Sequence, residues 1–311
     1  MIPKGNMLSS ISRQMKGIGF NLMKNQLAMC STAAGTSDFE TLLVSVPKQY
    51  VYHVQLNRPK QLNAMNKKMW FEIGKCFDTL ASKDDCRSIV LSGVGKIFCA
   101  GIDLKDMGGI GAALAEKDDV ARRCKILDEM IRNYQNYISA LERCNKPVIA
   151  AVHNACVGGA LDLISAADIR YCSEDAWFQI KEVDLGMAAD VGTLQRFPKV
   201  IGNQSLVNEL CLTARKFEAK EAKDCGFVGQ VFKSHDSLME GAFTIAEQIA
   251  AKSPVAVQGT KRNLVFSREH TTQEGLDHIR AWNMTMLQSE DFMNAAMALA
   301  TKSDPPIFAK L

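Results

Sequence analysis

The sequence has no apolar stretch long enough to cross a membrane and no cysteine pair with the spacing of a metal or redox motif. A transmembrane helix needs about 20 consecutive apolar residues, and no such run occurs in the 311 residues. The ten cysteines are scattered without a CxxC pair, which is typical of buried thiols in a reducing compartment. The five histidines show no metal-ligand spacing. We therefore expect neither a membrane span nor a metal site.

Acidic residues are missing from the first part of the chain. Residues 1–37 carry four basic residues and no acid, so residues 38–311 carry a net charge of −1 although the whole chain carries +3. A nucleic-acid-binding domain normally shows an excess of positive charge. The sequence therefore argues against nucleic acid as a partner.

The acid-free segment has the composition of a mitochondrial transit peptide. It combines several serines and four basic residues with apolar residues at steps of three and four, which mark one face of a helix. The apolar residues are Leu8, Ile11, Met15, Ile18 and Leu22. The alternative interpretation is an N-terminus that is merely disordered.

The last three residues, Ala309-Lys310-Leu311, resemble the C-terminal tripeptide of peroxisomal import, in which a small residue and a base precede leucine. A three-residue match arises easily by chance. Together the two ends of the chain predict targeting to the mitochondrion, the peroxisome or both.

Between these ends, strand and helix patterns alternate and then give way to helices. Residues 41–46 and 50–56 are rich in β-branched and aromatic residues and predict a hairpin. A helix is predicted from Asn66 to about Ser82 and a long amphipathic helix over 118–144. Buried strands are predicted at 88–92 and 147–152. The chain beyond Gly192 is mainly helical, with helices predicted at about 203–213, 218–225, 236–252, 254–267 and 272–300. This order predicts an α/β core followed by a helical C-terminal region.

Two glycines and three acids stand out in the middle of the chain. Gly158 and Gly159 precede a predicted helix, where free N–H groups favour negative charge. Asp162, Glu182 and Asp190 come after them, each among apolar or small neighbours. Loss of hydration raises the pKa of a carboxyl group, so such acids can exchange protons near neutral pH. The pattern favours an enzyme that forms an enolate, although spacing alone leaves room for two of the acids to be surface residues.

Five motifs in the right order resemble the enoyl-CoA hydratase/isomerase (crotonase) family over about residues 40–265. They are LNRP at 56–59, LNAM at 62–65, FCAGIDL at 98–104, NKPVIAAVHNACVGGALDL at 145–163 and GTLQRFPKVIG at 192–202. The resemblance implies an α/β fold, a spiral of ββα units, with a C-terminal helical region that forms trimers or hexamers. It divides the chain into a targeting segment (1–37), a spiral core (38–253) and a C-terminal helical region (254–311).

The resemblance also implies the substrate and the binding residues. The substrate is an acyl-CoA thioester, so coenzyme A belongs to the substrate and no separate cofactor is expected. By motif position, the backbone N–H groups of Ile102 and Gly159 form an oxyanion hole for the thioester oxygen. The residues implied in substrate binding, besides these two, are Gly101, Asp103, Leu104 and Lys105. The last three are expected on the same loop as Ile102, along the path of the acyl-CoA.

The acids decide which activity the family resemblance implies. Hydratases carry two glutamates, at the positions of Asp162 and Glu182, and a glycine at the position of Asp190. The acid triad here instead resembles the branch of the family that isomerises 3,5-dienoyl-CoA to 2,4-dienoyl-CoA. That reaction removes a proton at C2 and delivers one at C6. We expect Glu182 as the base and Asp190 as the acid, with Asp162 orienting the pair, although an exchange of roles stays open.

Two other functions are compatible with the resemblance. An enoyl-CoA hydratase is disfavoured by aspartate at 162 and by Asp190. A non-catalytic member of the family, including one that binds RNA, is disfavoured because all three acids are present and because residues 38–311 carry a net charge of only −1. Two assays separate the three functions. An isomerase converts the 3,5-diene, a hydratase adds water to a 2-enoyl-CoA, and a non-catalytic protein does neither.

The first prediction concerns residues 1–37. They have no pattern that fits the core, so a protein that begins at Asp38 should keep the specific activity and fold of the full chain while losing mitochondrial import. Activity and circular dichroism of the purified proteins, together with import into isolated mitochondria, test this. Collapse of the fold on deletion would show that the segment is structural.

Overall fold

The structure is a computed structural model that describes residues 38–311, except for the side chains of Met107, Ile110 and Ala113. The predicted targeting segment, residues 1–37, lies outside the described residues. Within residues 38–311, no helix combines the length and apolar character needed to span a membrane.

The described part of the chain contains nine strands in two sheets. The strands are β1 (Leu42–Lys48), β2 (Val51–Leu56), β3 (Ser88–Gly93), β4 (Val148–Val152), β5 (Ala155–Val157), β6 (Ile169–Ser173), β7 (Trp177–Gln179), β8 (Phe217–Glu218) and β9 (Gln230–Phe232). The larger sheet has the order β1-β2-β3-β4-β6-β9 and the smaller sheet the order β5-β7-β8. The predicted hairpin of β1 and β2 is confirmed as an antiparallel pair.

Eleven α-helices lie among the described residues. They are α1 (Lys67–Ala81), α2 (Leu104–Ala115), α3 (Val120–Arg143), α4 (Gly159–Ser165), α5 (Thr193–Val200), α6 (Gln204–Thr213), α7 (Ala219–Asp224), α8 (His235–Ala250), α9 (Pro254–Ser267), α10 (Thr272–Met286) and α11 (Glu290–Thr301). Short 3₁₀ helices occupy Pro59–Gln61 and Glu182–Leu185.

In the middle of the described chain, a strand of the larger sheet is followed by a strand of the smaller sheet and then by a helix. β4 lies in the larger sheet and β5 in the smaller one, and α4 comes next. β6 and β7 repeat the same alternation, and β3 is followed by a bridge between Cys99 and Cys156 that extends β5. This repetition is the spiral of ββα units that the family resemblance predicts, so the expected fold class is confirmed.

The central strands are buried on both faces. β2, β3, β4, β6 and β9 are mutually parallel, and parallel strands are normally covered on both sides. Alternate residues of β2, β3 and β4 face helix α8, where Val90 and Ile149 pack with Ala246. The residues between them, such as Leu91 and Ala150, face the main core. The sheet is therefore a fixed platform for the loops at its strand ends.

Helix α1 shows how the sequence specifies one wall of the core. Asn66 caps it, because its side-chain oxygen accepts a hydrogen bond from the Met69 N–H at 3.0 Å. The apolar residues Met69, Trp70, Ile73 and Phe77 recur at helical spacing and are buried. Burial of each side chain of this size stabilises the fold by about 1.5–3 kcal/mol. The predicted helix from Asn66 to Ser82 is confirmed, with both end residues as caps.

The structure corrects three expectations about local structure. Leu104 and Lys105 were expected on a loop, but they begin helix α2, which is capped by the side chain of Asp103. The helix expected over 272–300 is two helices, α10 and α11, since the chain turns at Leu287–Ser289 and Ser289 caps the second. Helix α5 was not predicted as a separate element, because its eight residues form a single short amphipathic run.

Candidate active site

The turn before helix α2 brings one predicted oxyanion donor into place. Gly101 has a φ of +90°, and a Cβ at this position would lie 2.6 Å from the Val157 carbonyl oxygen. Only glycine fits such a turn without strain. The Met65 N–H donates to the Gly101 carbonyl at 2.7 Å and the Asp103 N–H donates to the Met65 carbonyl at 3.1 Å. These two bonds bracket Ile102, whose own N–H has no acceptor among the described residues.

The start of helix α4 supplies the second predicted donor. Gly158 has a φ of +54° and precedes the helix, and Gly159 is its first residue. A Cβ on Gly159 would lie 2.8 Å from Met65 Cε and 3.0 Å from the ring of Trp70. The Gly159 N–H also finds no acceptor within residues 38–311. Both predicted donors are therefore free to bind an oxygen atom.

Asp162 lies on the first turn of α4 and is completely buried. Its Oδ1 accepts a hydrogen bond from the backbone N–H of Thr193, at the start of helix α5. Its Oδ2 has no hydrogen-bond partner among the described residues. Burial, reinforced by the charge of Glu182, raises the pKa of Asp162 to about 7. This carboxyl group therefore holds a proton close to neutral pH.

Glu182 begins the 3₁₀ helix after β7 and lies beside the oxyanion glycines. Its Oε1 is 3.2 Å from the point that a Cβ on Gly158 would occupy, so the carboxylate lies directly against that glycine. Its Oε2 is buried and has no partner in the described part of the chain. Burial is the main cause that raises the pKa of Glu182, and the charge of Asp190 adds to it. An unpaired carboxylate oxygen with a raised pKa is suited to accept a proton.

Asp190 lies on the loop that leads into helix α5 and is half-buried. Gln135 of helix α3 donates to its backbone carbonyl at 2.7 Å. Burial raises the pKa of its side chain as well. All three acids therefore have raised pKa values. The charge of Glu182 acts on Asp162 and the charge of Asp190 acts on Glu182, so the three share one electrostatic environment.

One cavity of about 630 Å³ joins every residue that the sequence predicted for the site. It is lined by Gly101, Ile102, Asp103, Leu104, Lys105, Gly159, Asp162, Glu182 and Asp190. The acids come from two ββα units and the loop beyond them, so only the fold could show that they meet.

Asp103 is engaged with the protein rather than free in the cavity. Arg58 Nη1 donates to its Oδ2 at 2.9 Å, and its Oδ1 caps helix α2 by accepting from the Lys105 N–H at 3.1 Å. The hydrogen bond from Arg58 is the main cause that lowers the pKa of Asp103. This carboxylate is therefore held by Arg58 and the start of helix α2, and it leaves proton transfer to the three acids.

Sequence reasoning missed several residues that line the cavity. They are Arg58, Gln61, Ala64, Trp70, Met130, Ile131, Tyr134, Lys181, Leu185 and Met187. Trp70 and Tyr134 were assigned to apolar helix faces, which is correct, but periodicity does not show which apolar residue reaches a cavity. Arg58 belongs to the LNRP motif and follows the end of strand β2. This position was the one feature of the sequence that could have indicated its place at the cavity.

The residues that the structure describes include no group of three or more His, Cys, Asp and Glu side chains placed to hold a metal ion. The three acids lie in one cavity without such an arrangement. What the cavity offers is two open N–H donors and three carboxyl groups in a mainly apolar wall.

The comparisons with known proteins agree with this geometry. Residues 47–307 match the family model for enoyl-CoA hydratase/isomerase. The chain is 47% identical to the mitochondrial Delta(3,5)-Delta(2,4)-dienoyl-CoA isomerase of Rattus norvegicus, over 98% of this chain and 96% of the relative. It is 48% identical to the peroxisomal protein of the same name from Arabidopsis thaliana, over 84% of this chain and 93% of that one.

A solved structure shares the fold. The crystal structure of enoyl-CoA hydratase from Bacillus anthracis matches with a TM-score of 0.77 at 27% sequence identity, covering 86% of this chain and 98% of that one.

The second prediction concerns Asp162 and pH. Its folded-state pKa of about 7 lies above the ordinary value of 3.8. As pH rises between these values, the folded carboxyl keeps its proton while the unfolded one loses it, so stability falls by about 1.4 kcal/mol per pH unit. Asp162→Asn removes this dependence and still offers an oxygen to the Thr193 N–H. Relative to the wild type, it should gain on the order of 2–3 kcal/mol between pH 5 and pH 8.

Urea unfolding at several pH values between 5 and 8 measures this difference. Asp236→Asn, at a fully exposed acid, is the matched control and should match the wild type throughout. A stability difference between Asp162→Asn and the wild type that stays constant with pH would contradict the assignment of a raised pKa to Asp162.

Proposed function

The chain belongs to the enoyl-CoA hydratase/isomerase family, and we propose that its reaction is the isomerisation of 3,5-dienoyl-CoA to 2,4-dienoyl-CoA. It is an isomerase of fatty-acid β-oxidation, as are the relatives of nearly 50% identity that carry the name of this activity. The observation that carries the proposal is the third acid, Asp190, in the same cavity as Asp162 and Glu182. The reaction needs proton transfer alone, so coenzyme A enters as part of the substrate and no further cofactor is proposed.

The thioester oxygen binds to the N–H groups of Ile102 and Gly159. As a proton leaves C2, negative charge moves onto this oxygen, and donors that are already in place stabilise the transition state more than the ground state. The two unpartnered N–H groups and the position of Gly159 at the start of a helix support this role.

Glu182 is the base at C2. C2 is bonded to the thioester carbonyl carbon, so its base must lie next to the oxyanion hole. The contact between Glu182 Oε1 and Gly158 supports this assignment over the exchanged one. Removal of the proton leaves a conjugated trienolate that extends from the thioester oxygen to C6.

Asp190 is the acid that delivers a proton to C6. Protonation at C6 moves the double bonds to C2 and C4 and completes the isomerisation without water. One acid gains a proton and the other loses one, and exchange with solvent restores both. Asp162, tied to the Thr193 N–H, raises the proton affinity of the cavity and orients Glu182, because neighbouring carboxylates do not ionise together at low cost.

A hydratase is the second candidate, and the geometry disfavours it. In that reaction two carboxylates hold one water between them. Here Asp162 is one methylene shorter than glutamate, and one of its oxygens is held by the Thr193 N–H. A non-catalytic member of the family is disfavoured by two buried oxygens, Asp162 Oδ2 and Glu182 Oε2, which have no hydrogen-bond partner among the described residues.

The third prediction tests the two proton-transfer roles together. Asp190→Asn keeps the side-chain volume but cannot deliver the C6 proton, so isomerisation should fall by about 10²–10⁴-fold. Because Glu182 is intact, deuterium from heavy water should still enter C2 of a 3,5-dienoyl-CoA. Glu182→Gln should lose both isomerisation and C2 exchange. Loss of diene absorbance measures the first, and mass spectrometry of the recovered thioester measures the second.

Asp236→Asn, which removes an exposed acid, serves as the control and should keep the wild-type activity. All variants should still bind a 2-enoyl-CoA. Turnover of Asp190→Asn near the wild-type rate would remove Asp190 from the mechanism. Rapid C2 exchange in Glu182→Gln would show that another group is the base.

The protein acts in the mitochondrion, the peroxisome or both, as the names of its relatives state for them. The assignment of residues 1–37 as a transit peptide and of Ala309-Lys310-Leu311 as a peroxisomal signal stays a prediction.

We propose in addition that the chain assembles as a trimer or a pair of trimers through its C-terminal helices. No residue of α10 or α11 is buried in the single chain. The large apolar side chains exposed there are Leu276, Met284, Leu287, Phe292, Met293, Met297 and Leu299. Apolar surface of this extent normally marks an interface.

The fourth prediction concerns this surface. The full-length protein should have the mass of three or six chains in light scattering, and a protein truncated after Ser267 should lose both assembly and most of its activity. Leu212→Ala, at an exposed apolar residue of helix α6, is the control and should assemble normally. A stable and active full-length monomer would contradict the proposal.

A further inference from the structure

We infer that Trp70 is a positioning residue that fixes the two oxyanion donors, Ile102 and Gly159, relative to each other. The inference rests on the proposed function, because it assigns a role to a side chain that contacts the oxyanion hole of that reaction. Trp70 belongs to helix α1 and is only 2% exposed.

The first contact of Trp70 reaches the Ile102 donor. The indole N–H donates to the Met65 carbonyl at 3.1 Å. The same carbonyl accepts from the Asp103 N–H, and the Met65 N–H donates to the Gly101 carbonyl. Met65 therefore forms the parallel bridge that holds the peptide on each side of Ile102. Trp70 therefore anchors that bridge from the wall of the cavity.

The second contact reaches the Gly159 donor. Two atoms of the six-membered ring, Cη2 and Cζ2, lie 3.0 and 3.1 Å from the position that a Cβ on Gly159 would occupy. The ring therefore packs directly against the Cα of the residue whose N–H is the second donor. One rigid planar side chain thus contacts both halves of the oxyanion hole, which come from chain segments more than fifty residues apart.

The indole itself is held in place from outside. The ring of Tyr134, on helix α3, stacks on it with centroids 4.8 Å apart and an angle of 16° between the planes. Tyr134 also lines the cavity. Helix α1, which carries Trp70, is capped by Asn66 directly after Met65. The indole is therefore held by three contacts, with the Met65 carbonyl, Gly159 and the ring of Tyr134.

Position matters here because oxyanion donors act only when they already point at the developing charge. A displacement of about 1 Å from the reactive geometry costs on the order of 100-fold in rate. Loss of the indole removes the hydrogen bond to Met65 and the packing against Gly159 in one step. The expected consequence is a poorly aligned oxyanion hole in a protein that still folds and still binds acyl-CoA.

The variant Trp70→Phe tests this role. We expect kcat to fall about 10-fold to 100-fold, as for a misaligned donor pair. KM should change by less than about threefold, because phenylalanine keeps an apolar ring in the cavity wall and the other lining residues are unchanged. A second readout does not require turnover. Vibrational spectroscopy of bound 2,4-dienoyl-CoA reports how strongly the thioester carbonyl is polarised, and we expect the shift seen in the wild type to be reduced.

The matched control is Phe77→Leu. Phe77 is a fully buried aromatic residue of the same helix that does not line the cavity. Phe77→Leu should lose about as much stability as Trp70→Phe but keep the wild-type kcat and carbonyl shift. An unchanged shift in Trp70→Phe, or an equal loss in Phe77→Leu, would overturn the assignment, because the effect would then be absent or a general consequence of a weakened core.

If Trp70→Phe does not fold, Tyr134→Leu decides, since Tyr134 is only half-buried. Removal of the stacking ring should reduce the carbonyl shift, and an unchanged shift would refute the proposal. Failure of the proposed function is distinguishable from failure of this inference. If the proposed function fails, the wild type does not isomerise a 3,5-diene. If only this inference fails, the wild type isomerises the diene, but the carbonyl shift of the bound thioester is the same in the wild type and in the variant.

Discussion

Three backbone hydrogen bonds between the segments around Cys99 and Cys156 determine where the functional groups meet. The N–H groups of Phe98 and Cys99 donate to the carbonyls of His153 and Ala155, and the Val157 N–H donates to the Cys99 carbonyl. This short parallel pairing places the two glycine turns side by side. The donors at Ile102 and Gly159 are a consequence of it, since each lies a few residues beyond the pairing. Helix α4 and the segment after β7, which come later in the chain than the second turn, then place the acids.

The same arrangement explains why the pKa values of the three acids are raised. Asp162 is placed by α4 in the centre of the core, where it has one hydrogen bond and no counter-ion. The basic residues that line the cavity are Arg58, Lys105 and Lys181. Arg58 is paired with Asp103 and Lys181 with the exposed Asp184, so neither neutralises the acids. Burial without a counter-ion disfavours ionisation, and the pKa values of all three acids are therefore raised above those of free carboxyl groups.

Much of this site could be predicted from the chain, for identifiable reasons. Glycines with constrained backbones and acids among apolar residues leave a local signature, and the motifs around Gly101 and Gly158 carry a family resemblance. The element types of the core could be predicted from period and capping, as at Asn66. Contacts that depend on tertiary packing left no such signature. Trp70 resembles any other apolar residue on the face of α1, and Leu104 and Lys105 gave no sign of the helix they begin. The division of the C-terminal pattern into α10 and α11 was likewise hidden, because the apolar spacing continues across the turn at Leu287.

The order of strands in the larger sheet bears on how the protein is made. From β2 through β3, β4 and β6 to β9, every strand pairs with the strand that preceded it into the sheet. Synthesis from the N-terminus therefore delivers each strand to an edge that already exists, with no need to insert one between two others. All residues that line the cavity lie between positions 58 and 191, so they emerge from the ribosome before the exposed helices α10 and α11. The residues of the cavity are therefore synthesised while the proposed surface for partner copies is still unmade, which delays assembly until each subunit has a nearly finished core.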